Sequence, residues 1–368
     1  MKSVGIITFH YALNAGAVLQ AYALQEYLMA LGHEVEFIDY RPPRKYDWKS
    51  FLAKTPSATF HKWHNFITGI QHQRAAIWRK YLNVGTPRYH SVNEIMQNPP
   101  LYDIYIAGSD QIWNFLRELD SAYLLEFVPQ GRKKISYAAS MGQCAIPECL
   151  HNELRRQLLT FDALSLRENS GVEFVNKLIE DEGRAVQTLD PTLLVDSSVF
   201  AGIMERIRVP SEPYICSYIL SMLDGKQAQA LMNLKTSMDL PWMNLQNPDT
   251  GAVVSDAGNR IVSPSEWLYC ISHSAYNICG SFHATVFSIL FQKPFVVIVP
   301  ERVLREQGGN QRILSLLDPL GLADRCVYGD DAEELERILT TEPDWDKVSA
   351  GLRTLREKSV EFLKKSLK

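Results

Sequence analysis

The chain has 368 residues, of which 46% are hydrophobic and 22% are charged. That length exceeds what one hydrophobic core usually supports, so we expect two domains of roughly 150 to 200 residues each. The net charge of -4 argues against a nucleic-acid-binding protein. No apolar run is long enough to span a membrane and no signal-peptide pattern is visible, and we therefore expect a cytosolic protein.

The six cysteines form neither a CxxC pair nor the spacing of zinc ligands. Most of them lie in apolar segments, which is typical of reduced thiols in a protein core. We therefore expect no metal site.

The first elements are predicted as a strand over 3–9, a helix over 16–32 that Gly32 closes, and a strand over 34–40. Further apolar runs of strand length, separated by helical stretches, follow at 102–108, 134–140, 162–167 and 184–190. This alternation predicts a parallel sheet with helices on both faces.

The same pattern restarts in the second half of the chain. Strands are predicted there at 213–220, 241–246, 276–280, 294–300 and 324–329. A polar, proline-containing stretch at 195–212 marks the boundary. The fold class is therefore α/β, with an N-terminal domain over 1–200, a C-terminal domain over 201–343, and a last helix in 344–368 that could pack back on the N-terminal domain.

Polar residues follow several predicted strands, at the edge where open α/β sheets bind ligands. After the first strand, Asn14 can cap the next helix and Gly16 would let a ligand approach the backbone. After the third come a carboxylate, an amide and an indole, at Asp110, Gln111 and Trp113. The alternative is that Asn14 and Asp110 only cap helices and that Trp113 belongs to the core.

Two further predicted strands are followed by a basic side chain. Arg167 opens a helix, where a guanidinium is unfavourable unless it meets an anion or a carboxylate; the alternative is a structural salt bridge with Glu168 or another acid. In the second half, His283 lies in the first turn of an apolar helix predicted over 281–292 and is its only ionisable group. A buried core histidine is the alternative. We expect the strand ends of both halves to line one cleft.

Taken together, seven stretches resemble the polysaccharide pyruvyl transferase family, in the family's order and over nearly the whole chain. They are 14–40, 102–114, 134–142, 165–171, 189–194, 280–296 and 309–325. The resemblance implies two Rossmann-like doubly wound domains facing a cleft, as in GT-B glycosyltransferases. It also implies that pyruvate moves from phosphoenolpyruvate to two hydroxyls of a sugar in a polysaccharide or lipid-linked glycan, as a ketal, with release of phosphate and without a cofactor.

By position in the family's motifs, Arg167 and His283 look like the donor-binding and catalytic pair. The other residues that the resemblance and the strand ends assign to the donor are Ser281, Phe282, Asn310 and Arg312, and those assigned to the acceptor are Asn14, Gly16, Asp110, Gln111 and Trp113. Many family members have aspartate where Gly280 stands and glycine where Ala284 stands, and some have arginine in place of Ser281. We therefore expect a phosphate site that is built differently here.

Chemistry suggests how these residues would act. His283 suits the protonation of C3 of phosphoenolpyruvate, because histidine titrates near neutral pH. Asp110 could deprotonate an acceptor hydroxyl and Trp113 could stack on a sugar. The loop 305–312, with Gly308 and Gly309 as a hinge, would close on the donor.

An insertion is predicted at 41–100. Its part 41–90 holds ten Lys or Arg residues and a single acid, interleaved with aromatic residues. One hypothesis is that it docks on the anionic inner face of the membrane or on a lipid-linked diphosphate acceptor. The alternative is a helical hairpin that packs on the first domain.

Three other functions are alternatives to pyruvyl transfer. A GT-B glycosyltransferase that uses a nucleotide sugar would share the architecture, but 244–256 contains no clear ribose-binding acid. A non-catalytic glycan-binding relative would not need both Arg167 and His283. A Rossmann dehydrogenase is disfavoured because 10–20 lacks GxGxxG.

Overall fold

The computed structural model describes residues 1–12, 14–42, 81–115, 119–142, 146–220, 223–245, 259–260, 262–299 and 311–368. They fall in two compact units. The first comprises the described residues within Met1–Arg44, Ile77–Val195 and Leu352–Lys368, and the second those within Asp196–Gly351. Most of the predicted insertion, residues 43–80, lies outside the described residues, so both hypotheses about it stay predictions.

The first unit is built on a parallel sheet. Strands β1 (Ser3–Ile7), β2 (Glu34–Phe37), β3 (Ile104–Ala107) and β4 (Lys133–Ser136) pair in the order β2-β1-β3-β4. β5 (Leu164–Leu166) and β6 (Ala185–Gln187) pair in parallel, and the bridges Ile135–Ala163 and Ala139–Leu166 join β5 to the β4 side. The strand order reverses between β1 and β3, which makes their carboxyl ends the topological switch point.

Helices connect these strands: α1 (Ala15–Ala30), α2 (Val92–Gln97), α3 (His151–Leu158) and α4 (Asn169–Ile179). Twelve residues of α1 are buried, from Ala15 to Leu28, so its apolar character extends around the helix instead of forming one stripe. The core around the sheet includes Trp113, Tyr123 and Phe161.

The second unit is a six-stranded parallel sheet. Its strands are β7 (Ile215–Ile219), β8 (Trp242–Leu245), β9 (Asn259–Arg260), β10 (Tyr276–Gly280), β11 (Phe295–Ile298) and β12 (Cys326–Val327). They run in the order β12-β11-β10-β7-β8-β9, which is the order of the Rossmann fold. The switch point lies between β7 and β10.

The helices of the second unit are α5 (Ser198–Ala201), α6 (Gly225–Met238), α7 (Pro264–His273), α8 (Phe282–Leu290), α9 (Gln311–Leu317) and α10 (Ala332–Thr340). Capping boxes start two of them, with Asp224 before α6 and Ser263 before α7. Each box satisfies two backbone donors that the first turn leaves open.

The last helix, α11, covers Trp345–Ser366. Its second half packs within the first unit: Arg356 Nε donates to the carbonyl of Leu193 at 2.7 Å, and the Ser359 hydroxyl accepts the N–H of Leu189 at 2.9 Å. The ring of Phe362 lies against Tyr137, with centroids 6.4 Å apart. These contacts hold the C-terminal residues on the first unit.

The predicted α/β class is confirmed, and every strand pairing described is parallel. Most strands are shorter than predicted because their last apolar residues belong to the turns that follow. β9 is the one described strand that the sequence did not predict; it has two residues.

Candidate active-site elements at the ends of the strands

The turn after β10 carries the predicted histidine. Ser281 is the N-cap of α8, and its hydroxyl accepts the N–H of Ala284 at 3.2 Å. His283 is the second residue of the helix and is 8% exposed. Phe282 is also buried, and its ring meets the His283 ring edge to face at 5.3 Å. Because β10 borders the switch point of the second unit, His283 lies in the first turn of a helix at the edge where open α/β sheets generally bind ligands.

Gly280 lies where two strands of the second sheet come very close to each other. A Cβ at this position would lie 2.7 Å from Ile219 Cγ2 and 2.8 Å from Ile219 Cα. β10 therefore approaches β7 so closely that a side chain cannot be added without moving one of the strands.

The remaining predicted donor residues are described only in part. Arg312 is half-buried in α9, whereas Asn310 lies outside the described residues. The same is true of residues 305–310 of the loop predicted to close on the donor. The closing loop therefore stays a prediction.

Arg167 follows β5 and is almost fully buried. Its Nη1 lies 2.8 Å from Asp190 Oδ2, and the two side chains are 2% and 0% exposed. Burial lowers the pKa of the guanidinium, but the charges of Asp190, Glu168 and Asp110 outweigh it and hold that pKa above its ordinary value. The alternative interpretation of the sequence was a structural salt bridge between Arg167 and Glu168 or another acid. The structure shows such a salt bridge, with Asp190.

Asp110 and Glu168 lie at the same edge as Arg167. Asp110 follows β3 with a left-handed φ of 72°, and its Oδ1 accepts the N–H of Gln111 at 2.8 Å. Glu168 is 3% exposed and accepts a hydrogen bond from the Ser140 hydroxyl. The first unit therefore surrounds one buried guanidinium with three carboxylates.

Gln111 and Trp113, which follow Asp110 in the chain, have different surroundings. Gln111 Oε1 accepts from Asn114 Nδ2 at 3.0 Å, and both side chains lie beside Gly142. Trp113 is fully buried; its Nε1 donates to the carbonyl of Tyr123 at 2.9 Å and its ring packs edge to face on Phe161. A ring without exposed surface cannot stack on a sugar, so the predicted acceptor role of Trp113 is wrong and its alternative, a core position, holds.

The predicted acceptor residues after β1 form the start of α1. Asn14 is the N-cap, and its Oδ1 accepts the N–H of Gly16 at 2.8 Å. Asn14 therefore caps α1, as the alternative interpretation of the sequence stated. Both residues lie at the switch point of the first unit.

A charged cluster at the ends of β1 and β2 was missed by the sequence reasoning. Asp39 accepts hydrogen bonds from His10 Nε2 at 3.1 Å, from Arg88 Nε at 2.9 Å and from Arg41 Nε. Burial raises the pKa of Asp39, but these three donors outweigh it and hold that pKa well below its ordinary range. Part of the signal was available, because His10 directly follows the predicted strand 3–9, whereas Asp39 lies inside the predicted strand 34–40.

Neither metal ligands nor a membrane span is found in the described parts of the chain. No group of three or more His, Cys, Asp or Glu side chains there could hold a metal ion. Among the described helices, none is long and apolar enough to cross a bilayer.

The two Rossmann-like units define a protein of the GT-B-like class, and solved structures share this fold. UDP-GlcNAc 2-epimerase from Neisseria meningitidis bound to UDP-GlcNAc has a TM-score of 0.58 at 10% identity, covering 99% of this chain and 100% of that one. S. aureus MnaA in a co-structure with UDP has a TM-score of 0.52 at 11% identity, covering 100% and 97%. Arabidopsis thaliana UGT89C1 has a TM-score of 0.51 at 13% identity, covering 98% and 99%. At such identities the likeness concerns the fold alone.

The amino-acid sequence of these two units identifies the protein family. The family model of polysaccharide pyruvyl transferase matches residues 14–302. The chain belongs to the polysaccharide pyruvyl transferase family, which confirms the resemblance found in the sequence. No protein of curated function matches the chain significantly.

Proposed function

We propose that the protein transfers pyruvate from phosphoenolpyruvate to two hydroxyls of one sugar, in a polysaccharide or a lipid-linked glycan precursor, and releases phosphate. Membership of the family supports the reaction class. The observation that carries the proposal is the placement of His283 in the first turn of α8, directly after β10. That turn offers an acid and open backbone donors for the phosphate at one sheet edge.

The reaction needs one proton donor. His283 donates a proton to C3 of phosphoenolpyruvate, which becomes a methyl group while positive charge develops at C2. The first sugar hydroxyl adds to C2 and loses its proton, and the C2–O bond to phosphate then breaks. The second hydroxyl adds to the same carbon and loses its proton. Of the two protons released, one balances the proton gained by C3 and the other leaves with phosphate.

On the donor side, Ser281 and Phe282 shape the start of α8 around His283. Phe282 excludes water from the imidazole, since its ring packs on it. Arg312 and Asn310 are proposed to complete the phosphate site. No residue in this scheme calls for a metal ion or a cofactor, so a chelator should leave the rate unchanged.

On the acceptor side, Asp110 is the proposed base for a sugar hydroxyl, with Gln111, Asn14 and Gly16 around the sugar. Arg167 is assigned a positioning role. Because its guanidinium is buried and paired with Asp190, it has little surface for a direct contact with the donor. Its guanidinium instead holds the carboxylate of Asp190 in place through the 2.8 Å contact of Nη1 with Oδ2.

A nucleotide-sugar glycosyltransferase is the second candidate, because two solved structures with the same fold contain bound UDP-GlcNAc or UDP. Thermal unfolding with each ligand separates the two functions. The proposal expects phosphoenolpyruvate, and not UDP-GlcNAc, to raise the melting temperature. Stabilisation by UDP-GlcNAc alone would replace pyruvyl transfer with glycosyl transfer.

A further inference from the structure

Two amide side chains, Gln111 and Asn114, form a hydrogen-bonded pair in the turn that follows β3. Asn114 Nδ2 donates to Gln111 Oε1 at 3.0 Å, and the backbone N–H of Asn114 donates to the carbonyl of Gln111 at 3.2 Å. Between them, Ile112 and Trp113 are buried in the core, whereas both members of the amide pair are half-buried. The turn therefore fixes the amide pair at the carboxyl end of β3, which borders the switch point of the first unit.

The segment after β4 supports the amide pair from below. The carbonyl of Asp110 accepts the N–H of Ser140 at 2.9 Å, and Ser140 Oγ accepts the N–H of Gly142 at 3.2 Å. A Cβ at Gly142 would lie 2.5 Å from Gln111 Oε1 and 2.8 Å from Asn114 Nδ2, the two atoms that form the hydrogen bond of the pair. Gly142 also has a left-handed φ of 67°, which glycine adopts without strain. A residue with a side chain at this position would therefore displace the two amides.

The same turn presents a donor and an acceptor without protein partners. Gln111 Nε2 makes no hydrogen bond within the described residues, because the side chain bonds Asn114 through its oxygen. Asp110 is half-buried and accepts the Gln111 N–H through Oδ1 at 2.8 Å, and its Oδ2 has no hydrogen-bond partner in the same part of the chain. A sugar hydroxyl is both a donor and an acceptor. One hydroxyl can therefore donate to Asp110 and accept from Gln111.

Asn114 determines which end of the Gln111 amide is left for a ligand. The amide has an acceptor oxygen and a donor nitrogen on opposite sides of one carbon. Because Asn114 Nδ2 is a donor, it binds the oxygen of Gln111 and leaves the nitrogen for the ligand. An acceptor at position 114 would bind the nitrogen, and the amide would then present its oxygen to the ligand.

We propose that Asn114 is a positioning residue for the acceptor sugar, which holds Gln111 so that its Nε2 donates to the hydroxyl that Asp110 deprotonates. This assignment rests on the proposed function, in which Asp110 is the base for a sugar hydroxyl. The hydrogen bond from Gln111 fixes the hydroxyl oxygen and leaves the hydroxyl proton directed at the carboxylate. That proton passes to Asp110 as the oxygen bonds to C2 of phosphoenolpyruvate. A change at Asn114 should therefore affect the sugar and not the donor.

Asn114→Asp tests this orientation with almost no change in side-chain size. Binding is measured on the full-length protein by saturation-transfer NMR titration with the methyl glycosides of galactose, glucose, mannose and N-acetylglucosamine. The wild type should bind at least one glycoside, and Asn114→Asp should bind it about three- to tenfold more weakly, the loss of one hydrogen bond. The matched control is Asn152→Asp, because Asn152 is exposed on α3 in the same unit. It should bind the glycoside like the wild type.

The Gln111→Ala background separates orientation from other effects of the new carboxylate. If Asn114 acts through Gln111, Asn114→Asp should weaken sugar binding in the wild type but not in Gln111→Ala. Additive losses in the double variant would show that Asn114 acts in another way and would overturn the positioning role. Equal binding by wild type and Asn114→Asp, or no binding of any glycoside to the wild type, overturns it as well.

Folding is checked by circular dichroism. Should Asn114→Asp fail to fold, Asn114→Ala replaces it in the same comparison, because it removes the donor that holds Gln111. These binding measurements need no turnover, so they judge Asn114 even if the wild type transfers no pyruvate. Where transfer is measurable, Asn114→Asp should raise the KM for the glycan and leave the KM for phosphoenolpyruvate unchanged. A rise confined to the KM for phosphoenolpyruvate contradicts the assignment.

Discussion

Arg167 and Asp190 form an ion pair that solvent does not reach, with the arginine Nη1 2.8 Å from the aspartate Oδ2. The same Oδ2 accepts the hydroxyl of Ser109 at 2.9 Å, and Oδ1 accepts the N–H and the hydroxyl of Thr192. The pair therefore ties together the segments that follow β3, β5 and β6.

Removing Arg167 should weaken the first unit. In Arg167→Ala, the carboxylate of Asp190 loses its buried counter-ion, which typically costs about 3 to 5 kcal/mol. Urea denaturation followed by circular dichroism measures the change. The control is Arg156→Ala, which removes an exposed arginine paired with Glu153 and should cost less than about 1 kcal/mol.

If Arg167 contacted the donor directly, as its position in the family's motifs suggested, Arg167→Ala would lose activity without losing stability. An Arg167→Ala protein with unchanged stability but no transfer would return Arg167 to direct contact with the donor.

Gly280→Ala should destabilise the second unit. The added methyl group meets Ile219 Cα and Cγ2 at less than 3 Å, and overpacking of this kind costs about 1 to 3 kcal/mol. Gly225→Ala is the control, because a Cβ there meets nothing within 4 Å. Thermal unfolding of both variants compares them; equal melting temperatures would show that β10 and β7 are not as close as described.

Acid should unfold the protein partly through Asp39. Its pKa is lowered in the folded state, so it stabilises the fold above the ordinary aspartate pKa and this contribution is lost as pH falls below about 4. Asp39→Asn should be less stable than wild type at neutral pH and lose less stability between pH 5 and pH 2. The exposed Asp181→Asn serves as control. Parallel pH profiles for Asp39→Asn and wild type would contradict the role of the cluster.

Burial should also protect two thiols. Burial raises the pKa of Cys270 and Cys279 to about 12, whereas Cys149 is exposed. Iodoacetamide at pH 8 should therefore alkylate Cys149 within minutes and reach Cys270 and Cys279 only after denaturation, as mapped by mass spectrometry. Rapid labelling of Cys270 in the native protein would show that α7 opens readily.

Local patterns predicted much of the fold. The helix predicted over 281–292 is observed as Phe282–Leu290, and the last helix, predicted at about 344–366, is Trp345–Ser366. Apolar runs located the strands of both sheets, because parallel strands covered on both faces are apolar throughout. The ends were less accurate, since apolar residues also fill the turns beyond the last ladder hydrogen bond.

The candidate site was predicted less completely, for a physical reason. The strand-end rule found Arg167 and His283, but the partner of Arg167 is 23 residues away and depends on how β5 and β6 pair. Trp113 was assigned to a sugar because it follows a strand, yet the side chain turns into the core. Arg88 joins Asp39 across a sequence separation of 49 residues, which no local pattern shows.

The most direct test of the proposed reaction follows the carbon of phosphoenolpyruvate. With carbon-labelled phosphoenolpyruvate and a panel of polysaccharides and lipid-linked glycans, the wild-type protein should place label in a glycan and release phosphate in equal amount. His283→Asn should slow this transfer by roughly 100- to 10,000-fold, whereas His273→Asn, at an exposed histidine of the same unit, should not. Label in the glycan at an unchanged rate in His283→Asn, or glycosyl transfer from a nucleotide sugar without any label transfer, would contradict the account.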